Sequence, residues 1–282
     1  MRPTARTRLV GVIGHPVAHS LSPAMHNASF EAKDLDYVYV AMDVAPQALK
    51  EAVRGLVALG FRGFNVTIPH KEEIVPLLDE LDGSARGPGA VNTVVIEGGR
   101  TRGFNTDGSG FLESCRETGV GLSGESVLIL GAGGAAAAIA EAVLAAGARG
   151  LILANRTPAR AGRMRERLRG LHPGADVRVC SAEDLPEAAR AAGVLVNTTP
   201  LGMKEGDPVP FPEEVLEGRS VCDVVYRSGE QTPLVRAAHE RGAKVVTGER
   251  MLLYQGVHAQ RMWTGVEPDV RAISRALEGS TA

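Results

Sequence analysis

Along this chain, short apolar runs alternate with longer stretches in which apolar residues recur every three or four positions, the mark of strands alternating with helices. Residues 9–14 (LVGVIG) read as a buried strand, and the loop after them enters a helix near Pro23 with Ser22 as its N-cap. Tyr37 to Met42 alternates as a strand, Pro46 to Leu59 forms an amphipathic helix stopped by Gly60, and Phe61 to Val66 is the next strand. Parallel pairing is the expectation for such an order. Pro69 then opens a helix that Thr67 is placed to cap, with Ile74, Val75, Leu78 and Leu81 on one side. A Gly-Pro-rich loop at residues 83–89, a strand from Val91 to Ile96, a Gly-Gly turn and a return through Thr101 to Thr106 complete the first pattern at Asp107.

A helix from about Gly108 to Thr118 and a Gly-rich joint at residues 119–124 lead into a different pattern, SVLILGAGGAAAAIAEAVLAAGA. Val127 to Leu130 are a fully apolar strand, Gly131, Gly133 and Ala136 supply GxGxxA, and an Ala-rich helix runs to Gly147. In a dinucleotide-binding βαβ unit the first glycine permits the tight turn and the second lets backbone approach the pyrophosphate. The small third residue lets helix and strand pack closely. The next strand, Leu151 to Ala154, ends in Asn155-Arg156-Thr157-Pro158 with Arg160 close behind. A unit selective for NAD carries an acid near this point; two arginines here favour the 2′-phosphate of NADP. Arg163, Arg165, Arg167 and Arg169 read as a solvated face. Strands and helices then alternate to Val246, and the strand ends at Asn197-Thr198-Thr199 and at Tyr226 place polar groups where open α/β sheets bind ligands.

The chemistry turns on Lys71, which counts onto the apolar side of its expected helix. A lysine so aimed either snorkels to water or has a partner and a task. Asp107 is the candidate partner; an Asp before Gly otherwise caps or turns the chain. Carbonyl reduction by a nicotinamide cofactor needs a group that protonates the developing alkoxide, and a lysine held by a carboxylate suits that role.

Composition narrows the rest. The 282 residues allow two domains, and 31 basic against 33 acidic residues imply neither nucleic acid nor an anionic membrane as partner. No apolar run reaches a membrane span, and the N-terminal stretch lacks a signal peptide's apolar core. Three scattered cysteines favour a cytoplasmic setting, and the seven histidines show no metal-binding spacing, so no metal is expected.

Nine motifs, SLSP at 20–23, NVTIPHK at 65–71, GAVNT at 89–93, NTDG at 105–108, GAGG at 131–134, NRT at 155–157, NTTPLGM at 197–203, DVVY at 223–226 and MLLYQ at 251–255, together resemble the shikimate dehydrogenase family, in order and over nearly the whole chain. The resemblance implies an α/β fold with a substrate domain (residues 1–107 and 249–282), a Rossmann-type NADP domain (108–248) and a cleft between them. It implies NADPH-dependent reduction of 3-dehydroshikimate to shikimate in aromatic biosynthesis, by a monomer or homodimer acting on a small molecule. Lys71 and Asp107 are then the catalytic pair, and Ser20, Ser22, Asn65, Thr67, Asn92, Asp107, Tyr226 and Gln255 bind substrate. For the cofactor the resemblance adds Gly131, Ala132, Gly133, Gly134, Ala135, Asn155, Arg156, Thr157, Arg160, Thr198, Val224, Gly248 and Met251. The Ala-rich helix lacks an arginine often present in the family, and Pro200 replaces a more frequent serine. A quinate or dual quinate/shikimate dehydrogenase is the alternative, and a non-catalytic NADP-sensing protein is the alternative of another class.

Overall fold

The structure is a computed structural model that describes residues 3–227 and 229–279. The chain divides into two compact units, Met1–Thr106 with Gln255–Ala282, and Asp107–Tyr254. The first begins with β1 (Arg8–Gly14), α1 (Ser22–Ala32), β2 (Tyr37–Asp43), α2 (Leu49–Ala58), β3 (Gly63–Val66), β4 (Glu80–Leu81), α3 (Gly83–Arg86), β5 (Thr93–Glu97) and β6 (Arg100–Phe104). Its strands form one sheet in the order β2-β1-β3-β5-β6-β4. β1 pairs in parallel with β2 and β3, as the alternation predicts, but β5 runs antiparallel to both β3 and β6. For β5 and β6 the physical reason is the connection. Gly98 and Gly99, with φ of 57° and 78°, close a two-residue hairpin, and a parallel pair needs a crossover many times longer.

One side of this sheet is covered by α2, whose Leu49, Val53 and Leu56 fall one helical turn apart and pack with Ile13, Phe64, Val66 and Val94. Each such side chain, taken fully from water, contributes about 1.5–3 kcal/mol. Val10, Val12, Phe30, Tyr39 and Trp263 form a separate cluster. Gly63 has to be glycine here, because a Cβ would run into the Trp263 indole, whose N–H donates to the Val94 carbonyl at 3.0 Å.

The segment around Lys71 departs from the expected helix. Residues 68–74 form successive turns and Val75–Leu77 a short 3-10 helix, and the Ile68-Pro69 peptide is cis. Pro76 explains the failure: it lacks the N–H that an α-helix needs at that position and disfavours helical backbone at Val75. The apolar spacing survives in part, with Ile74 fully buried and Lys71 half-buried, but Thr67 has no helix to cap. Two smaller corrections concern helix starts. Ser22 is the first residue of α1 rather than its N-cap, a position Leu21 occupies without any side-chain cap. The helix expected from Pro46 begins as one 3-10 turn, Pro46–Ala48, before α2.

The second unit runs α4 (Asp107–Thr118), β7 (Ser126–Leu130), α5 (Gly134–Ala145), β8 (Gly150–Ala154), α6 (Pro158–Leu171), β9 (Asp176–Cys180), α7 (Leu185–Ala191), β10 (Val194–Asn197), β11 (Ser220–Asp223), α8 (Pro233–Glu240) and β12 (Lys244–Val246). Its sheet is entirely parallel in the order β12-β11-β10-β7-β8-β9. Strands buried on both faces read as continuous apolar runs, which is why VLIL in β7 shows no alternation. The alanines of α5 also have a structural reason. Gly108 of α4 approaches so closely that a Cβ on it would meet the Ala138 carbonyl and the Ala142 methyl. The chain closes with α9 (Gly248–Thr264) and α10 (Val270–Gly279), the latter packing on α1.

Candidate active site

In the first unit the strand register gathers a buried polar cluster. Asn65 on β3 is paired across the sheet with Thr93 on β5, and Asn92 immediately precedes β5. The Asn65 amide donates to the Asn92 carbonyl and to Thr93 Oγ1, both at 3.0 Å, while its Oδ1 accepts from the Tyr39 hydroxyl at 2.8 Å. Asn92 Nδ2 donates to Thr106 Oγ1 at 2.9 Å and to Gln255 Oε1 at 3.3 Å. Asn92 Oδ1 accepts from the Thr106 N–H at 2.8 Å and from Thr93 Oγ1 at 2.9 Å. A buried amide left unmatched costs about 1–3 kcal/mol, so these bonds hold each side chain in a single orientation.

Three of the expected substrate residues, Asn65, Asn92 and Gln255, are therefore brought together. Ser20 and Ser22 form a second pair, Ser20 Oγ accepting from the Ser22 N–H at 3.3 Å. Thr67 follows β3 and is half-buried, and its N–H donates to the Ile13 carbonyl at 2.9 Å. Beside Tyr39, the ring of His26 stacks at 4.4 Å, and burial lowers the pKa of His26 to about 4, so it is neutral at physiological pH.

In the second unit the strand order places the switch point between β7 and β10, whose neighbours lead away in opposite directions. Gly131, just beyond β7, has φ of 121° and donates from its N–H to the Ala154 carbonyl at 2.8 Å. A Cβ on it would run into the Thr198 hydroxyl. Thr198 itself donates to the Leu130 carbonyl through both N–H and hydroxyl, each at 2.8 Å. Gly133 differs: it sits at the N-cap of α5 with ordinary extended backbone, and a Cβ there would meet no atom within 4 Å. The open side of this turn and the first N–H groups of α5 suit an anion of the size of a pyrophosphate.

Ala132, Gly134 and Ala135 line the same turn, each half-buried. At the end of β8, Asn155 Nδ2 donates to the Thr157 carbonyl at 2.9 Å, and Arg156 and Arg160 are exposed, with no carboxylate in the Asn155-Arg156-Thr157 stretch. Thr157 occupies the N-cap of α6 but makes no side-chain cap bond. Gly248 approaches Val224 and Val225 so closely that a Cβ would strike their carbonyls, while Met251 is buried in the core of this unit and Tyr226 is half-buried beyond β11. Asp107, expected in a loop, is the first residue of α4 and is 4% exposed.

Three family models match the chain: the shikimate dehydrogenase substrate binding domain over residues 12–94, shikimate / quinate 5-dehydrogenase over 114–201, and the shikimate 5′-dehydrogenase C-terminal domain over 248–278. A curated NADP(+) shikimate dehydrogenase of Rubrobacter xylanophilus is 62% identical, over 97% of this chain and 96% of its own. The chain belongs to the shikimate dehydrogenase family. Among solved structures, shikimate 5-dehydrogenase of Thermus thermophilus, in complex with NADP(H) and shikimate, is 39% identical with a TM-score of 0.86, covering 97% of this chain and 99% of that one. Quinate dehydrogenase of Corynebacterium glutamicum, in complex with NAD, is 35% identical with a TM-score of 0.89 and similar coverage, 97% and 99%.

Within the family frame, Tyr39, Thr93 and Thr106 are the polar residues that the reading of motifs passes over. Thr93 and Thr106 lie inside or beside quoted motifs, GAVNT and NTDG, yet only the pairing of β3, β5 and β6 reveals that their hydroxyls complete the Asn65–Asn92 cluster. Tyr39 carries no signal in the sequence beyond an inward position on an alternating strand.

Proposed function

We propose that this chain reduces 3-dehydroshikimate to shikimate with NADPH, reversibly, as an NADP-dependent shikimate dehydrogenase of aromatic biosynthesis. What carries the reading is that a member of this family combines the Gly131–Gly134 turn, an arginine in place of an acid after β8, and a buried cluster of three amides. The amides and hydroxyls match a polyhydroxylated acid, because a site built to hydrogen-bond substrate hydroxyls rejects analogues that lack them. NADPH, held by the turn at Gly131–Ala135 together with Asn155, Arg156, Thr157, Arg160, Thr198, Val224, Gly248 and Met251, supplies a hydride to the substrate carbonyl when bound.

Lys71 is the proton donor. As the carbonyl becomes an alkoxide, the Lys71 ammonium transfers one proton to that oxygen; in the oxidative direction the neutral amine takes the hydroxyl proton. Asp107 is the other member of the catalytic pair. Ser20, Ser22, Asn65, Thr67, Asn92, Tyr226 and Gln255 hold the substrate's carboxylate and hydroxyls. The substrate is a small molecule, and no helix among the described residues is long and apolar enough to cross a membrane. We further propose a cytoplasmic enzyme, acting as a monomer or homodimer.

The test is the absorbance of reduced nicotinamide with shikimate and NADP+, repeated with NAD+ and then with quinate. Turnover that is fastest with shikimate and NADP+ supports the reading. Preference for quinate and NAD+ selects the quinate-type alternative, and binding of NADP+ without turnover of either acid selects a sensing protein.

A further inference from the structure

Asp223 is a carboxylate that the proposed chemistry does not use, yet it is 2% exposed at the end of β11 and collects three donors. Its Oδ1 accepts from Asn197 Nδ2 at 2.9 Å and from the Val225 N–H at 3.1 Å; its Oδ2 accepts from the Thr232 hydroxyl at 2.6 Å. Three converging donors match the acceptor oxygens of a carboxyl group. Asn197, directly opposite in the β10–β11 register and wholly buried, passes this constraint on. With Nδ2 committed to Asp223 and to the Leu201 carbonyl at 3.1 Å, its Oδ1 must face the other way, where it accepts from the Thr199 N–H at 3.1 Å and hydroxyl at 2.7 Å. The Thr199 hydroxyl in turn accepts from the Leu201 N–H at 3.2 Å. The turn so fixed contains Thr198, whose hydroxyl sits against Gly131.

We propose that Asp223 is a positioning residue for the cofactor: through Asn197 it sets the 197–201 turn against Gly131 and so preorganises the nucleotide site. This rests on the reading of that turn as an NADP site. A residue that merely held β10, β11 and α8 together would affect stability without affecting cofactor affinity beyond it. The chain of bonds runs instead through an amide whose orientation is the transmitted quantity.

The experiment measures the dissociation constant of NADP+ by titration calorimetry, alongside thermal melting of the unliganded protein. Asn197→Asp keeps the side-chain shape but sets two carboxylates against each other, and the double variant Asn197→Asp with Asp223→Asn restores a donor–acceptor pair with the roles exchanged. We expect NADP+ to bind roughly 10–100-fold more weakly to the single variant, the scale of losing a charge-assisted bond, and the double variant to recover at least about tenfold. Thr199→Val, at a partly exposed position, is the arm least exposed to misfolding. It weakens NADP+ about 3–10-fold, consistent with one neutral bond, and Thr199→Ser returns affinity to the wild-type value. NADP+ affinity within about twofold of wild type in both Asn197→Asp and Thr199→Val overturns the inference and leaves the NADP reading standing, as does a double variant no better than the single one. A wild-type protein that binds no NADP+ overturns both.

Discussion

In the first unit, the polar groups brought together are side chains: Asn65, Asn92 and Gln255 each use amide nitrogen or oxygen on a neighbour, with Tyr39, Thr93 and Thr106 completing the set. In the second, the surface offered at the switch point is mostly backbone, a turn at Gly131–Gly134 whose character comes from side chains that are absent. A site made of oriented amides is specified by chemistry and broken by removing atoms. A site made of bare backbone is specified by conformation and broken by adding them.

The largest effect expected bears on the side-chain half. Lys71→Ala lowers turnover by roughly 10²–10⁴-fold, with a smaller change in the Michaelis constant, as loss of a general acid does; steady-state rates with shikimate and NADP+ check it, and near-normal turnover removes Lys71 from its role. The backbone half breaks the other way. Gly133→Ala adds one methyl into open space at ordinary φ and leaves the melting temperature unchanged, yet weakens NADP+ by more than about tenfold, because the methyl occupies the side from which the pyrophosphate approaches. Equal affinity in that variant, measured by calorimetry, means the turn does not hold the phosphates.

Asp223 sharpens the comparison, since it is a buried side chain serving the backbone half. Burial raises its pKa from 3.8 to about 6, against the opposing pull of its three hydrogen bonds. A folded-state pKa above the unfolded one means that its stabilising contribution is complete below about pH 4 and is lost as pH rises through about 6. The cost of holding it ionised at pH 8 is about 3 kcal/mol. Asp223→Asn removes that dependence, so urea unfolding at pH 8 and pH 4 shows the variant gaining about 3 kcal/mol relative to wild type between the two. A difference that stays flat with pH places the titration elsewhere. The smallest effect is at the rim: Arg156→Ala weakens NADP+ about tenfold to thirtyfold and NAD+ barely, as loss of an exposed charge-assisted contact to the 2′-phosphate requires. Parallel losses for both cofactors mean that Arg156 does not read that phosphate.

The nucleotide half is almost wholly legible in the residues. GxGxxA, continuous apolar strands and the missing acid after β8 are local features, and each has one conformational meaning. The first unit is harder. Periodicity singles out Ile74 as buried, which it is, but reads an α-helix across Pro76 where the chain makes turns and a 3-10 step. Pro69 has the look of a helix opener and lies instead after a cis peptide. The Gly-Gly turn read at residues 98–99 does return the chain as β6 antiparallel to β5, but the parallel pairing expected of strands alternating with helices fails between β3 and β5. The motif NVTIPHK keeps its candidate residues while its local structure differs from the one its spacing suggests.

By itself, then, the sequence determined the α/β class, the strand–helix order outside residues 67–90, the nucleotide turn and the family, because local conformational preference and motif spacing are written in consecutive residues. Only the tertiary structure decided that Asn65, Asn92 and Gln255 share one hydrogen-bonded cluster, that Tyr39 orients Asn65, and that Asp223 is bonded to the turn at 197–201 through Asn197. Those relations join residues up to 163 positions apart. They depend on strand register and on which buried donors find acceptors, quantities set by packing the whole unit rather than by any stretch of it.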